Sequence, residues 1–279
     1  MAKHFSTKLI ESKKIAMVVE YCGRDYHGWQ AQKKPVVATV QAVIEKAIST
    51  VANHNVKVLC AGRTDARVHG TAQVIHFETN VLRSQKAWVC GVNANLPDDV
   101  VIRWAGAVND DFHARFSATA RTYRYIIANT TVRTANFSGA LTWFDAPLDE
   151  RMMHEAAQYL IGEHNFSSFR GAACQSNSPF RCVEYIEIKR LDDLVVIEIK
   201  ANAFLLHMVR NIVGCLLEVG EGKKPPLWIA DVLDKQDRSA ASVTAKPEGL
   251  YFVRAHYPKT EGVACLPMGP VFLGAIEAE

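Results

Sequence analysis

One polar segment of this chain carries several side chains that could take part in catalysis. Residues 60–70 read Cys-Ala-Gly-Arg-Thr-Asp-Ala-Arg-Val-His-Gly, so Arg63, Asp65, Arg67 and His69 alternate along one loop. An aspartate in such a loop most often accepts hydrogen bonds from nearby backbone N–H groups. An arginine two residues away could instead hold the carboxylate ionised, and an ionised, positioned carboxylate can act as a nucleophile. The residues alone leave both interpretations open.

The first half of the chain has the pattern of strands and helices that would position this loop. Apolar residues recur from Val40 to Val51 at helical spacing, with Thr39 as a candidate N-cap, and β-rich runs flank the loop itself. The predicted order is strand, helix, strand, strand, helix, strand, which is typical of a ferredoxin-like split β-α-β unit. The predicted elements are Ile15–Val19, 40–51, Val56–Cys60, Ala72–Phe77, Ser84–Val92 and Val100–Ala105.

The second half repeats this order loosely, without a detectable sequence repeat. Its predicted elements are Thr119–Ala128, Glu150–Ile161, Val183–Arg190, Leu194–Lys200, Leu205–Val219 and Leu250–His256, with long loops at 129–147 and 165–182. The fold class predicted is therefore α+β, with two ferredoxin-like, RRM-like halves that form an extended antiparallel sheet. We place the halves at residues 1–110, which carry the aspartate loop, and 111–279.

The helix predicted at Leu205–Val219 has two chemically distinct faces. One face is apolar, whereas His207, Arg210, Asn211 and Gly214 fall on the other. An ordinary solvated polar face would explain this pattern, and so would an arginine directed into a cleft.

Composition limits the class of protein. The chain has 279 residues, a net charge of +3 and seven cysteines, no two of which form a C-x-x-C pair. A zinc site or a disulfide framework is therefore not expected, and scattered reduced thiols favour a cytoplasmic location. There is no apolar run of about 18 residues to predict a membrane span, and the basic N-terminus lacks the apolar core of a secretory signal.

Six segments, in order, resemble the TruA-type tRNA pseudouridine synthase family. They are YCGRDYHGWQ at 21–30, GRTDARVH at 62–69, FHARFSATARTYRY at 112–125, NFSSFR at 165–170, FLLHMVRNIVG at 204–214 and GLYF at 249–252. A single match of this length would be weak, but six in the family's order are specific.

The resemblance implies an isomerase that needs no cofactor or metal. Members convert uridine to pseudouridine at positions 38, 39 and 40 in the anticodon stem-loop of tRNA, which is bound in a central cleft by a cytoplasmic homodimer. The N1–C1′ bond breaks and C5 bonds to C1′. Asp65 matches the family's nucleophile, but the sequence leaves open whether it attacks C1′, attacks C6 or assists a glycal route.

The resemblance also assigns roles to residues outside the aspartate loop. Tyr123 would stack on the target base and take part in proton transfer, whereas Arg63 and Arg210 would hold Asp65 charged or fill the space left by the base. Leu250 would form an apolar wall behind the base. The candidates for phosphate contacts are Arg24, Arg121, Arg124 and Arg170, together with Lys33, Lys34, Arg115 and Arg181.

Two positions depart from the family's pattern. Arg67 stands where the family usually has glycine, and Cys22 stands where it often has aspartate. If the backbone at residue 67 has a positive φ, arginine destabilises the loop there.

Two other classes of protein are weaker alternatives. A non-catalytic RNA-binding module could use a split β-α-β sheet, but we find no RNP segment of the RRM type. A metal-dependent hydrolase could use Asp65 and some of the ten histidines, but no H-x-x-x-H or H-x-E spacing occurs near a C-x-x-C pair.

Overall fold

The computed structural model describes residues 5–32 and 36–274. These residues form an α+β fold with ten strands and five α-helices, and most of the strand pairs are antiparallel. The predicted fold class is confirmed. No helix among the described residues has both the length and the hydrophobicity needed to cross a membrane.

The described residues divide into two compact units. One comprises the residues up to Thr119 and those from Phe252 onward, and the other comprises Ala120–Tyr251. The chain thus returns to the first unit after completing the second, whereas our prediction placed a single boundary at residue 110. A return of this kind depends on long-range packing, which a local sequence pattern does not record.

The first unit has helices packed on one face of an antiparallel sheet. Its strands are β1 (Lys14–Tyr21), β2 (Leu59–Cys60), β3 (His69–Glu78) and β4 (Val100–Ala107), and its helices are α1 (Val40–Ala52) and α2 (Gln85–Asn93). β1 lies between β3 and β4, and β2 pairs with β3. Alternate residues of β1 face the helices, so Ile15 and Met17 pack in one core with Ile44 and Trp88.

The second unit has a sheet in the order β5-β9-β8-β7, with β6 parallel to β5. Its elements are β5 (Ala120–Asn129), β6 (Thr142–Phe144), α3 (Glu150–Gln158), β7 (Gly162–Asn165), β8 (Phe180–Leu191), β9 (Leu194–Ala201), α4 (Met208–Gly220) and α5 (Trp228–Lys235), and β10 (Leu250–His256) runs across the boundary between the units.

Two predicted boundaries change for a visible physical reason. Helix α4 begins at Met208 rather than Leu205, because His207 has a left-handed backbone with φ 61°. The run Val56–Cys60 contributes only two residues to β2, although Val56 and Val58 are buried in the core. Thr39 does precede α1 as predicted, but its side chain makes no capping hydrogen bond.

Candidate active site

Asp65 lies in the loop between β2 and β3, in the first unit. Its side chain is half-buried, whereas Arg63 and Arg67 are exposed. Gln73 on β3 fixes the start of the loop, because its amide nitrogen donates to the Gly62 carbonyl at 2.6 Å and its amide oxygen accepts from the Gly62 N–H at 3.3 Å. The carboxylate is therefore presented from a constrained backbone and remains partly accessible.

The turn that ends in Gly28 and Trp29 clamps the middle of the aspartate loop. The Trp29 N–H donates to the Thr64 carbonyl at 3.0 Å, and the Arg67 N–H donates to the Tyr26 carbonyl at 3.1 Å. Gly28 has φ 92°, and a Cβ there would lie 2.8 Å from the Thr64 oxygen. Glycine is required at this position both by its conformation and by the close approach of the two segments. Residues 21–30 and 62–69, two of the segments that carry the family resemblance, are thus in direct contact.

A buried tyrosine supports the residue before Asp65. The Tyr21 hydroxyl lies 2.8 Å from Thr64 Oγ1, and burial raises the pKa of the Tyr21 phenol well above its ordinary value. The phenol is therefore neutral and can fix Thr64 through this hydrogen bond. The sequence does not indicate this contact, because Tyr21 and Thr64 are distant along the chain and share no local pattern.

His69 anchors the far end of the loop. It is 2% exposed, and its Nδ1 accepts a hydrogen bond from the Gly23 N–H at 3.1 Å. A Cβ on Gly23 would lie only 2.0 Å from the Val68 carbonyl oxygen, so the two backbones are in direct contact. These contacts support the interpretation of His69 as a structural histidine.

Arg67 has φ 66°, so its backbone is in the left-handed conformation. In this conformation arginine is less favourable than the glycine that the family usually has here. We therefore expect Arg67→Gly to have a free energy of unfolding about 1 kcal/mol higher than Arg67→Ala, because both lose the side chain but only glycine relieves the backbone. Denaturant unfolding measures the difference. Ala66→Gly is the control, since Ala66 lacks a positive φ and glycine there should destabilise the protein. Equal stability of the two Arg67 variants would contradict a strained backbone.

Tyr123 lies on β5 in the second unit, opposite Ile199 of β9. Its side chain is 9% exposed, and its ring meets the Phe204 ring edge-on, with centroids 5.0 Å apart. An edge-to-face contact of this kind fixes the plane of the ring. Tyr123 is therefore held in one orientation.

Arg210 and Leu250 lie in the same unit as Tyr123. Arg210 is half-buried on the first turn of α4, and its Nε donates to the Ala245 carbonyl at 2.8 Å. Burial raises the pKa of the Tyr125 phenol, and the positive charge of Arg210 opposes that rise. The Arg210 guanidinium is therefore close enough to Tyr125 to interact with it electrostatically. Leu250 is 5% exposed at the start of β10.

Asn211, next to Arg210, belongs to the interior rather than to a solvated face. It is fully buried, and its Nδ2 donates to the Phe169 carbonyl at 2.8 Å. Its Oδ1 accepts from Thr244 at 2.7 Å and from Arg238 at 3.2 Å. The polar face of α4 is thus partly an internal network that connects the helix to two loops, and the simple solvated interpretation is wrong for Asn211.

The arginines predicted to contact phosphate differ in how accessible their side chains are. Arg24 is exposed, and Arg121 is half-buried with one nitrogen donating to the Asn202 carbonyl. Arg124 is 2% exposed and its Nε lies 2.6 Å from a Glu198 oxygen, so a phosphate contact would require that ion pair to open.

Arg170 is half-buried, and one of its nitrogens donates to the carbonyls of Cys174 and Ser176 within its own loop. Arg181 donates to the Ser178 carbonyl in the same loop. Both residues therefore have a structural contact that the sequence did not indicate. Lys33 and Lys34 lie outside the described residues.

In the described part of the chain, no group of three or more histidine, cysteine, aspartate or glutamate side chains is arranged to hold a metal ion. All seven cysteines are free thiols.

Comparison with known proteins identifies the family. A family model described as tRNA pseudouridine synthase matches residues 17–117 and 156–258, which are most of the chain. The tRNA pseudouridine synthase A of Vibrio campbellii is 55% identical over 93% of this chain and 98% of its own length. The corresponding values for the Escherichia coli protein of the same name are 56%, 93% and 96%, and for that of Actinobacillus succinogenes 52%, 93% and 98%.

A solved Cbf5-Nop10-Gar1 complex also aligns, at 12% identity and a TM-score of 0.31, over 85% of this chain and 57% of that chain. A score this low does not establish a shared fold. The family model and the curated relatives do not depend on it, and on their evidence this chain belongs to the tRNA pseudouridine synthase family, a family of isomerases.

Proposed function

We propose that this protein converts uridine to pseudouridine at positions 38, 39 and 40 in the anticodon stem-loop of tRNA, with Asp65 as its nucleophile. The observation that carries the proposal is the identity of 52–56% to proteins named tRNA pseudouridine synthase A, over nearly their full length. The geometry of the aspartate loop supports it, because a half-buried carboxylate on a clamped backbone suits nucleophilic attack.

The proposed reaction is a balanced isomerisation that requires no oxidant or reductant. The N1–C1′ bond of the uridine breaks, the uracil turns over, and C5 forms a new bond to C1′. C5 then loses its proton to a base, and N1 gains one. The proposed nucleophilic role of the Asp65 carboxylate covers three routes, which are attack on C1′, attack on C6 and assistance to a glycal route.

A target base within a stem must leave the helical stack before the reaction. Unstacking and unpairing cost a few kcal/mol and are easiest near the loop end of a stem, which is where positions 38 to 40 lie. Arg63 is exposed two residues from Asp65. We propose that its guanidinium favours the ionised carboxylate or occupies the space that the base leaves.

Three residues of the second unit are proposed to act on the same base. Tyr123 would stack on the uracil and accept the C5 proton, Leu250 would provide an apolar wall, and Arg210 would supply positive charge. The fixed ring of Tyr123 and the buried side chain of Leu250 are compatible with these roles. We further propose a cytoplasmic homodimer, by analogy with the family.

Phosphate contacts would hold the tRNA in place without reading its sequence. Arg24 and Arg115 are the strongest of the proposed contacts because they are exposed, followed by the half-buried Arg121 and Arg170. Arg124 remains a proposal that requires its ion pair with Glu198 to open.

Mapping of the product tests the proposed positions. An unmodified tRNA transcript with uridine at 38, 39 and 40 is incubated with the protein, and pseudouridines are located by carbodiimide labelling and primer extension. We expect new stops at these positions and none elsewhere. Modification confined to another arm of the tRNA would contradict the proposed site, whereas binding without modification would favour the non-catalytic RNA-binding alternative.

A further inference from the structure

Phe116 is an exposed aromatic residue in the first unit that the proposed chemistry does not use. Its side chain is 74% exposed, and the Arg115 guanidinium carbon lies 5.4 Å from the centre of its ring. The His113 ring lies 4.4 Å from the Phe116 ring, at an interplanar angle of 37°. We call these three residues, His113, Arg115 and Phe116, the stacking platform.

The backbone holds the stacking platform in one conformation. The Ser117 N–H donates to the His113 carbonyl at 2.8 Å, and the His113 N–H donates to Ser117 Oγ at 3.0 Å. The N–H groups of Arg115 and Phe116 both point to His113 Nδ1, at 3.1 and 3.3 Å. A surface aromatic held in this way loses little conformational freedom when a ligand stacks on it.

The stacking platform is also anchored to the core of its unit. The His76 ring lies 4.9 Å from the His113 ring, and the fully buried Phe112 packs against both His76 and Tyr257. Burial, together with the nearby His113 and Lys14, lowers the pKa of His76 to about 4, so His76 is neutral at physiological pH. Phe116 is thus the outer end of a packed aromatic series rather than an isolated surface residue.

Charges and strand register place the stacking platform beside the aspartate loop. His76 lies opposite Leu59 in the β2–β3 pair, one residue before Cys60, where the loop begins. Burial raises the pKa of Cys60 to about 12, and the positive charges of Arg63 and Arg115 both oppose that rise. Arg115 and Arg63 are therefore both close enough to affect the Cys60 thiol, which stands at the start of the aspartate loop.

We propose that the stacking platform binds an unpaired nucleobase of the tRNA, which stacks on the exposed ring of Phe116. A nucleobase fits better than an apolar partner, because the Arg115 guanidinium accompanies the ring and a polyanion is attracted to its positive charge. Every base has a π-face, so the contact would add affinity without restricting sequence. This inference rests on the proposed function, in which tRNA is the substrate.

Binding measurements with Phe116 variants test the proposal. In the full-length Asp65→Asn protein, we expect Phe116→Ala and Phe116→Leu to raise the Kd for unmodified tRNA by about 5- to 150-fold, the usual effect of losing one stacked base. Phe116→Tyr keeps the ring and should remain within about threefold. Tyr159→Ala is the control, since Tyr159 is an exposed aromatic at the end of α3, and it should leave the Kd unchanged.

A fluorescent base identifies the stacked nucleotide. Anticodon stem-loop RNAs with 2-aminopurine at each loop position in turn are titrated with the same variants. Quenching at one position that persists with Phe116→Tyr and disappears with Phe116→Leu supports the proposal. An unchanged Kd for Phe116→Ala and Phe116→Leu, in variants whose thermal unfolding matches the parent, overturns it.

These experiments distinguish a failure of the proposed function from a failure of the stacking platform. If the wild-type protein forms no pseudouridine but Phe116→Ala still weakens tRNA binding, the proposed reaction is wrong and the stacking platform stands. If pseudouridine forms normally and the Kd does not respond to Phe116, the stacking platform is wrong and the proposed function stands.

Discussion

Asp65→Asn is expected to lower the single-turnover rate of pseudouridine formation by roughly 10⁴-fold or more, while the Kd for tRNA changes by less than about threefold. The amide has nearly the same shape as the carboxylate but lacks the negative charge of a nucleophile. The loop backbone should not move, because it is held by hydrogen bonds from Trp29 and Gln73 that do not involve the Asp65 side chain.

The control for this prediction is Asp25→Asn. Asp25 is an exposed carboxylate in the turn that clamps the aspartate loop, so its loss changes the local charge equally. We expect its single-turnover rate to remain within about twofold of wild type. Comparable losses in the two variants would point to electrostatics in general and would remove Asp65 from the nucleophile role.

Tyr123→Phe is expected to slow the chemical step by roughly 10²–10⁴-fold, the usual contribution of a general base. C5 must lose a proton after it bonds to C1′, and the Tyr123 hydroxyl is our candidate to accept it. Phenylalanine retains the edge-on contact with Phe204, so the variant should fold normally. Single-turnover rates at saturating enzyme separate this step from binding.

Tyr185→Phe is the matched control for Tyr123→Phe. Tyr185 is another tyrosine of the second unit, and its hydroxyl donates to Glu198 at 2.6 Å. Its loss should leave the chemical step unchanged, because Glu198 keeps its contact with Arg124. A Tyr123→Phe rate within about threefold of wild type would restrict Tyr123 to stacking.

The charge around Tyr123 favours a phenolate less in the structure than the sequence indicates. From the sequence, the positive charges of Arg121 and Arg124 would favour a Tyr123 phenolate. In the structure, Glu198 balances the charge of Arg124 at 2.6 Å. The expected effect of Tyr123→Phe therefore depends mainly on the need for a base at C5.

Periodic apolar patterns predicted the longer elements well. Helix α1 was expected at 40–51 and is observed at Val40–Ala52, and β10 was expected at Leu250–His256 and is observed there. The short strands β6 and β7 and the helix α5 were not predicted. Three or four residues of strand carry no usable period, and α5 begins at Trp228 after Leu227, which provides no capping side chain.

The candidate site was only partly predictable. Asp65 and its loop were identifiable from residue types and from the family resemblance. The clamp by the turn that ends in Gly28 and Trp29 was not, because it consists of backbone hydrogen bonds between segments distant along the chain. Arg124 was expected to contact phosphate because it lies in a segment that resembles the family. Both faces of β5 are buried, and alternation alone cannot reveal an internal ion pair such as Arg124–Glu198.

Nucleoside analysis of tRNA is the most direct test of the central claim. An unmodified transcript is incubated with excess wild-type or Asp65→Asn protein, digested to nucleosides and assayed for pseudouridine. We predict that the wild-type protein converts the uridines of the anticodon stem-loop and that Asp65→Asn converts almost none. Pseudouridine formation by Asp65→Asn near the wild-type rate, or its absence with a folded wild-type protein that binds the tRNA, would contradict the claim.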